Sequence, residues 1–190
     1  MRPAVHPIEK ESYDILRRLV DLSHLPPLSR AVTERVIHAT ADLSFATDLV
    51  LDEKALEAGA AALASGSPIV ADVRMVAAGV TTRNVICALQ NPGPARGETR
   101  AAHGIRLAFE QAGRDAVWVI GCAPTALAEL LSLDARPAFV VGLPVGFVGA
   151  VEAKAALASA GVPMVTNRSA KGGSAVAAAA LNALLYGGEA

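Results

Sequence analysis

Apolar positions follow helical spacing through the first third of the chain. Ile8, Ile15, Leu16, Leu19 and Leu22 fall on one stripe of a helix running from about Pro7 to Leu22. Leu25-Pro26-Pro27-Leu28-Ser29 then breaks the chain. A second amphipathic helix is predicted over about Ser29–Thr40, burying Val32 and Val36 with Ala39. A third is predicted over about Asp52–Ala64, with acidic residues at its N-terminus as the helix dipole favours.

From Ser67 onward the period changes. Short apolar runs at Pro68–Asp72, Asn84–Leu89, Ala116–Ile120, Ala138–Gly142 and Val162–Thr166 read as strands. Helical segments separate the later ones, at about Thr99–Ala112, Pro124–Ser132 and Gly149–Ala160, and a last helix spans about Gly173–Tyr186. Runs that are apolar without alternation suit strands covered on both faces. The expected fold class is therefore α/β, a parallel sheet of about five strands preceded by N-terminal helices. No linker or internal repeat divides the chain, so residues 1–190 are expected to form one domain. In it, a helical region of about 1–66 packs on an α/β core of 67–190.

Composition explains where the apolar residues go. Hydrophobic residues make up 53% of the chain and charged residues 18%, which excludes a disordered polymer. The uncharged stretches 137–151 and 172–188 are interrupted by Pro, Gly or Asn and do not read as membrane spans. A soluble protein is expected, with the cytoplasm as its default location, because Met1-Arg2-Pro3 does not open a signal peptide. The formal net charge of −1 gives no global field for nucleic acid or a membrane, so an anionic ligand must be met by locally placed cations. Cys87 and Cys122 offer neither a disulfide framework nor a metal-binding spacing, and they read as buried thiols.

In a sheet of this kind ligands gather beyond the carboxyl ends of the strands. Asp72–Met75, Gly121–Thr125, Gly142–Gly146 and Thr166–Ser174 are predicted to lie there. Lys171-Gly172-Gly173-Ser174 opens the last helix, and reads either as an anion cradle assisted by Lys171 and Arg168 or as an ordinary loop with Ser174 as N-cap. The glycines of Gly142–Gly146 permit close approach of a flat ligand or serve the turn. Arg74, Arg83, Arg100 and Arg106, if clustered at strand ends, would suit a ligand with several carboxylates. His38 shares a helix face with Glu34 and Asp42; a carboxylate one turn away would favour an imidazolium able to donate a proton, whereas a solvated polar face is the plainer reading. No P-loop, GxGxxG, HExxH or GxSxG sequence occurs.

Seven segments in order carry a family resemblance: Ile8–Tyr13, Arg35–Thr40, Asp72–Val80, Thr99–Ala102, Gly121–Leu127, Pro144–Val148 and Lys171–Ser174. With them the chain resembles the precorrin-8X and cobalt-precorrin-8 methylmutases over nearly its whole length. The resemblance implies a three-layer, flavodoxin-like α/β/α fold and a homodimer with active sites at the subunit interface. It implies an isomerase that moves a methyl group from C-11 to C-12 of a tetrapyrrole, with no cofactor; no metal site is expected either, because His6, His24 and His103 show no ligand spacing with His38. Neither nucleic acid nor a membrane is expected as a partner. The family's catalytic histidine falls on His38, and its substrate-contacting Ser, Thr and Arg fall on Ser12, Thr81 and Arg100. Arg74, Arg83, Cys122, Lys171, Gly172 and Ser174 complete the candidate substrate-binding set. Cys122 stands where the family commonly has Asn. Two other readings are a carrier that holds the tetrapyrrole without converting it, and a phosphate-binding transferase using the Lys171–Ser174 loop.

Overall fold

The computed structural model describes residues 6–81, 84–91, 93, 95 and 97–187. Its elements in chain order are α1 (Pro7–Leu19), α2 (Pro27–Thr40), α3 (Phe45–Asp48), β1 (Leu49–Val50), α4 (Glu53–Ala64), β2 (Ile69–Ala71), α5 (Arg74–Gly79), β3 (Val85–Cys87), α6 (Arg100–Ala112), β4 (Val117–Ile120), α7 (Pro124–Ser132), β5 (Phe139–Gly142), α8 (Ala150–Ala158), β6 (Met164–Asn167) and α9 (Ser174–Leu185). The strand order is β1-β6-β5-β4-β2-β3, parallel from β6 through to β3. That order is the flavodoxin-like one, with its switch point between β2 and β4.

Alternate residues of each strand serve opposite layers. Ile69, Ala71, Val117, Val119, Phe139 and Val141 pack with α2, α4 and α9, whereas Val70, Trp118, Ile120 and Val140 pack with α6, α7 and α8. Both faces are covered, which is why the strands read as unbroken apolar runs. Helix α4 comes so close to the sheet that a Cβ on Gly59 would lie 2.7 Å from the Phe139 ring.

Caps set several helix starts. His6 accepts from Ile8 N ahead of α1, Asp52 from Ala55 N ahead of α4, and Thr99 from Ala102 N ahead of α6. Helix α2 has no cap of its own. Glu53 supplies one from α4, accepting Leu28 N at 2.8 Å and Ser29 N at 2.9 Å.

Three elements escaped the sequence reading: α3, β1 and α5. Strand β1 is a two-residue edge strand antiparallel to β6, so the N-terminal region adds a strand to the sheet as well as helices. It is too short to carry a period. The stripe on α1 is also used differently from a core stripe. Leu16 is buried and so is Leu22 beyond the helix end, but Ile8, Ile15 and Leu19 are exposed, Leu19 at 63%. Tyr13 takes the inward position. Ala39, expected to be buried, is exposed. Both cysteines are only half-buried. Among the described residues no helix is long and apolar enough to cross a membrane.

Candidate active site

The switch point is built around a buried carboxylate. Asp72, just past β2, accepts backbone N–H groups from Gly121 at 3.1 Å, Cys122 at 2.8 Å and Ala123 at 3.1 Å. This ties β2 to the β4–α7 loop and caps α7 from another element. Burial pushes the Asp72 carboxyl up, opposed by those amides. The amides are therefore committed to the protein itself. Gly121 is packed just as closely: a Cβ there would meet Val76, Ala177 and the Ser174 backbone within 3.0 Å. The root of the crevice is closed, and open space begins further out.

That space is a cavity of about 740 Å³ lined by Arg74, Met75, Leu89, Gln90, Asn91 and Arg100, among others. Two of the candidate arginines thus share one concavity. Arg74 donates to the Gln90 carbonyl at 2.9 Å, while the Arg100 side chain has no hydrogen-bond or ion-pair partner among the described residues. Arg106 is differently occupied, held by Glu98 and Glu129. Arg83 lies outside the described residues.

His38 lines a second, smaller cavity of about 190 Å³ with Ser12, Ile15, Leu19, Ile37 and Leu43. Its Nδ1 is 2.8 Å from the Ser12 hydroxyl, and its ring stacks on Tyr13 with centroids 4.8 Å apart and planes 9° apart. Nε2 takes no hydrogen bond among the described residues. The carboxylates expected beside His38 are engaged elsewhere. Glu34 receives Arg17 Nε at 3.0 Å and Nη2 at 2.8 Å, and Asp42 receives Lys171 Nζ at 2.7 Å. A hydroxyl and an aromatic face, not an acid, are the nearest polar and planar partners of this imidazole.

The Lys171–Ser174 segment behaves as a tightly bound loop. Lys171 is paired with Asp42 and hydrogen-bonds Ser44 Oγ at 2.6 Å. A Cβ on Gly172 would lie 2.3 Å from the Leu143 carbonyl, so glycine is needed for the β5 and β6 loops to meet. The N-cap of α9 is Gly173, not Ser174, and no side chain caps the helix. Arg168 donates to the Thr47 and Leu49 carbonyls at 2.9 and 3.2 Å, closing α3 rather than facing a ligand. Gly142 likewise serves packing, since a Cβ there would lie 2.2 Å from Leu157. Behind this loop Lys154 is buried. Its ammonium donates to Asn167 Oδ1 at 2.9 Å, to the Lys171 carbonyl at 2.7 Å and to the Ser169 carbonyl.

Thr81 hydrogen-bonds the Tyr186 hydroxyl, and the Arg35 guanidinium sits 4.8 Å from the Tyr186 ring centre. Cys122 has its thiol pushed up, by burial first and then by Asp72, which keeps it protonated and unreactive. Sequence reasoning missed Tyr13 as a partner of His38, Asp42 as the partner of Lys171, and the Gln90–Asn91 wall. Tyr13 was within reach as the neighbour of Ser12, but nothing local signals that α1 and α2 put it against His38.

A sheet covered on both faces, its five parallel strands in flavodoxin-like order and Arg74 and Arg100 sharing a cavity past the switch point, defines a flavodoxin-like α/β protein. The family model described as precorrin-8X methylmutase matches residues 7–187. The chain is 44% identical to the precorrin-8X methylmutase of Pseudomonas aeruginosa, over 93% of each chain. It is 38% identical to the cobalt-precorrin-8 methylmutase of Methanothermobacter thermautotrophicus, over 94% of this chain and 91% of the relative. The crystal structure of the precorrin-8X methylmutase from Thermus thermophilus superposes with a TM-score of 0.87 at 36% identity, covering 95% of this chain and 96% of that one. The chain belongs to the precorrin-8X methylmutase family and is an isomerase.

Proposed function

We propose that this protein moves a methyl group from C-11 to C-12 of precorrin-8X or its cobalt counterpart, with His38 as proton donor and acceptor. The observation that carries the reading is the Ser12–His38 pair at 2.8 Å in an apolar hollow. Ser12 occupies Nδ1, so the other ring nitrogen is the one left to work on substrate. A 1,5 methyl shift needs no nucleophile or hydride. The bond from methyl to C-11 breaks as the bond to C-12 forms. A proton lent by His38 to the macrocycle stabilises the rearranging π system and returns afterwards. General acid assistance of this kind contributes about 10²–10⁴-fold.

Arg74 and Arg100 are read as the partners of the substrate's carboxylates, with Thr81 and the Lys171–Ser174 loop as further candidate contacts. Support comes from the Arg100 guanidinium, which has no partner among the described residues, and from the cavity it shares with Arg74. Because His38 and the two arginines line different hollows, we read the working unit as a homodimer in which one subunit's His38 faces the partner's arginine cavity. The exposed apolar side chains of Ile15, Leu19 and Leu43 beside His38 fit that reading. We take the whole chain as one domain acting in the cytoplasm.

The test is incubation with precorrin-8X, and separately with its cobalt form, while following the visible spectrum. Methyl migration alters the conjugation, and His38→Ala should bind the tetrapyrrole without converting it. Full turnover by that variant would remove His38 from the chemistry.

A further inference from the structure

The proposed chemistry needs the imidazole of His38 held in one orientation, yet His38 stands on an exposed helix face. Ser12 fixes one nitrogen only, and a single hydrogen bond leaves the ring free to tilt about it. The second constraint is the stack on Tyr13, 4.8 Å between centroids and within 9° of parallel. Tyr13 is itself immobilised. It is buried to 4% exposure in the seam between α1 and α2, and the Arg17 guanidinium lies 5.7 Å from its ring centre. Arg17 is in turn clamped by both oxygens of the buried Glu34 carboxylate. Glu34 lies one turn before His38 on α2, and its carboxylate is joined to Tyr13 through Arg17.

The Tyr13 hydroxyl shows which part of the residue matters. It is buried and has no hydrogen-bond partner among the described residues. An orphaned buried hydroxyl carries a desolvation cost and returns nothing, so the flat ring is the part in use. We infer that Tyr13 is the positioning residue of the proposed site, its ring setting the plane of the His38 imidazole while Ser12 sets its rotation.

The inference rests on the reading of His38 as the proton-transfer group, and the experiment separates the two. Tyr13→Leu keeps an apolar side chain in the seam but removes the plane. It is expected to lower kcat by about tenfold or more with little change in KM, as loss of orientation without loss of binding predicts. Tyr13→Phe should rescue kcat and unfold no earlier than the parent protein, because only the orphaned hydroxyl is removed. A merely structural role would follow the melting temperature of the variants and would not split kcat from KM.

The second readout does not depend on the folding of Tyr13→Leu. In the parent protein and in Tyr13→Phe, the ring protons of His38 should be shifted upfield in the NMR spectrum by the stacked aromatic ring. Unshifted His38 protons in the parent protein would overturn the inference, as would a folded Tyr13→Leu with parental kcat. An active His38→Ala would instead overturn the proposed function.

Discussion

Cys122 gives its backbone N–H to the Asp72 carboxylate at 2.8 Å, so this residue is held through its main chain. The neighbouring amides of Gly121 and Ala123 bind the same carboxylate. Asp72→Ala leaves all three buried donors without an acceptor. It is expected to destabilise the fold by about 2–4 kcal/mol, read from urea unfolding. Asp72→Asn, which keeps one acceptor oxygen, should fall between.

Arg100 lines the larger cavity and has no partner among the described residues. Arg100→Ala should raise KM about tenfold or more, the worth of one or two charge-assisted hydrogen bonds, and leave kcat within a few-fold. An unaltered KM would place the carboxylates elsewhere.

Lys171 and Asp42 link the loop before α9 to the end of α2. The side-chain hydrogen bond from Lys171, with those from Ser44, holds the Asp42 carboxyl down at about 2. A depressed carboxyl stabilises the folded state above its unfolded value of 3.8, and that stabilisation is lost as pH falls toward 2. In Lys171→Met, NMR titration of the Asp42 carboxyl carbon should show its midpoint moving up toward 3.8. The pair is partly exposed, and high salt should weaken it in the parent protein.

Burial pushes the Lys154 ammonium down to about 8, opposed by Asp48. Between that value and the 10.5 of an ordinary lysine, the unfolded chain binds the extra proton. Stability gained from this group therefore rises with pH across the window. Lys154→Met should abolish that component of the slope. It should also cost about 2–4 kcal/mol at pH 7, since the oxygens of Asn167, Ser169 and Lys171 lose their donor. Urea unfolding of both proteins at several pH values between 7 and 10.5 measures each effect.

Leu19 is exposed beside the His38 hollow. If that face meets a second copy, Leu19→Glu should convert a sedimenting species of twice 19.4 kDa into one of 19.4 kDa without altering the circular dichroism spectrum. A parent protein that sediments at the single-chain mass would remove the dimer from the proposal.

Much of this molecule was legible from the order of its residues. Helix α7 runs over Pro124–Ser132 as its Pro start and apolar spacing predict, and α4 starts just after its Asp52 cap. Strands β4 and β5 announce themselves as apolar runs because they are covered on both faces. Local pattern was silent where only partners define an element. Strand β1 exists because Leu49 and Val50 pair with Asn167 and Thr166, more than a hundred residues away.

The same division runs through the site. The segments that carry His38, Ser12, Arg74 and Arg100 could be picked out by sequence, since each keeps its neighbours in a recognisable order. Which groups touch could not. The helical repeat put Glu34 and Asp42 on the face of His38, but long side chains reach outward as readily as along a helix. Arg17 and Lys171 bring full opposite charges to those carboxylates, a stronger attraction than a neighbouring imidazole provides. The sequence by itself determined the covered sheet, the loops at its carboxyl edge and the family. Tertiary structure alone decided that Ser12 and Tyr13 hold His38, because that contact exists only once α1 packs across α2.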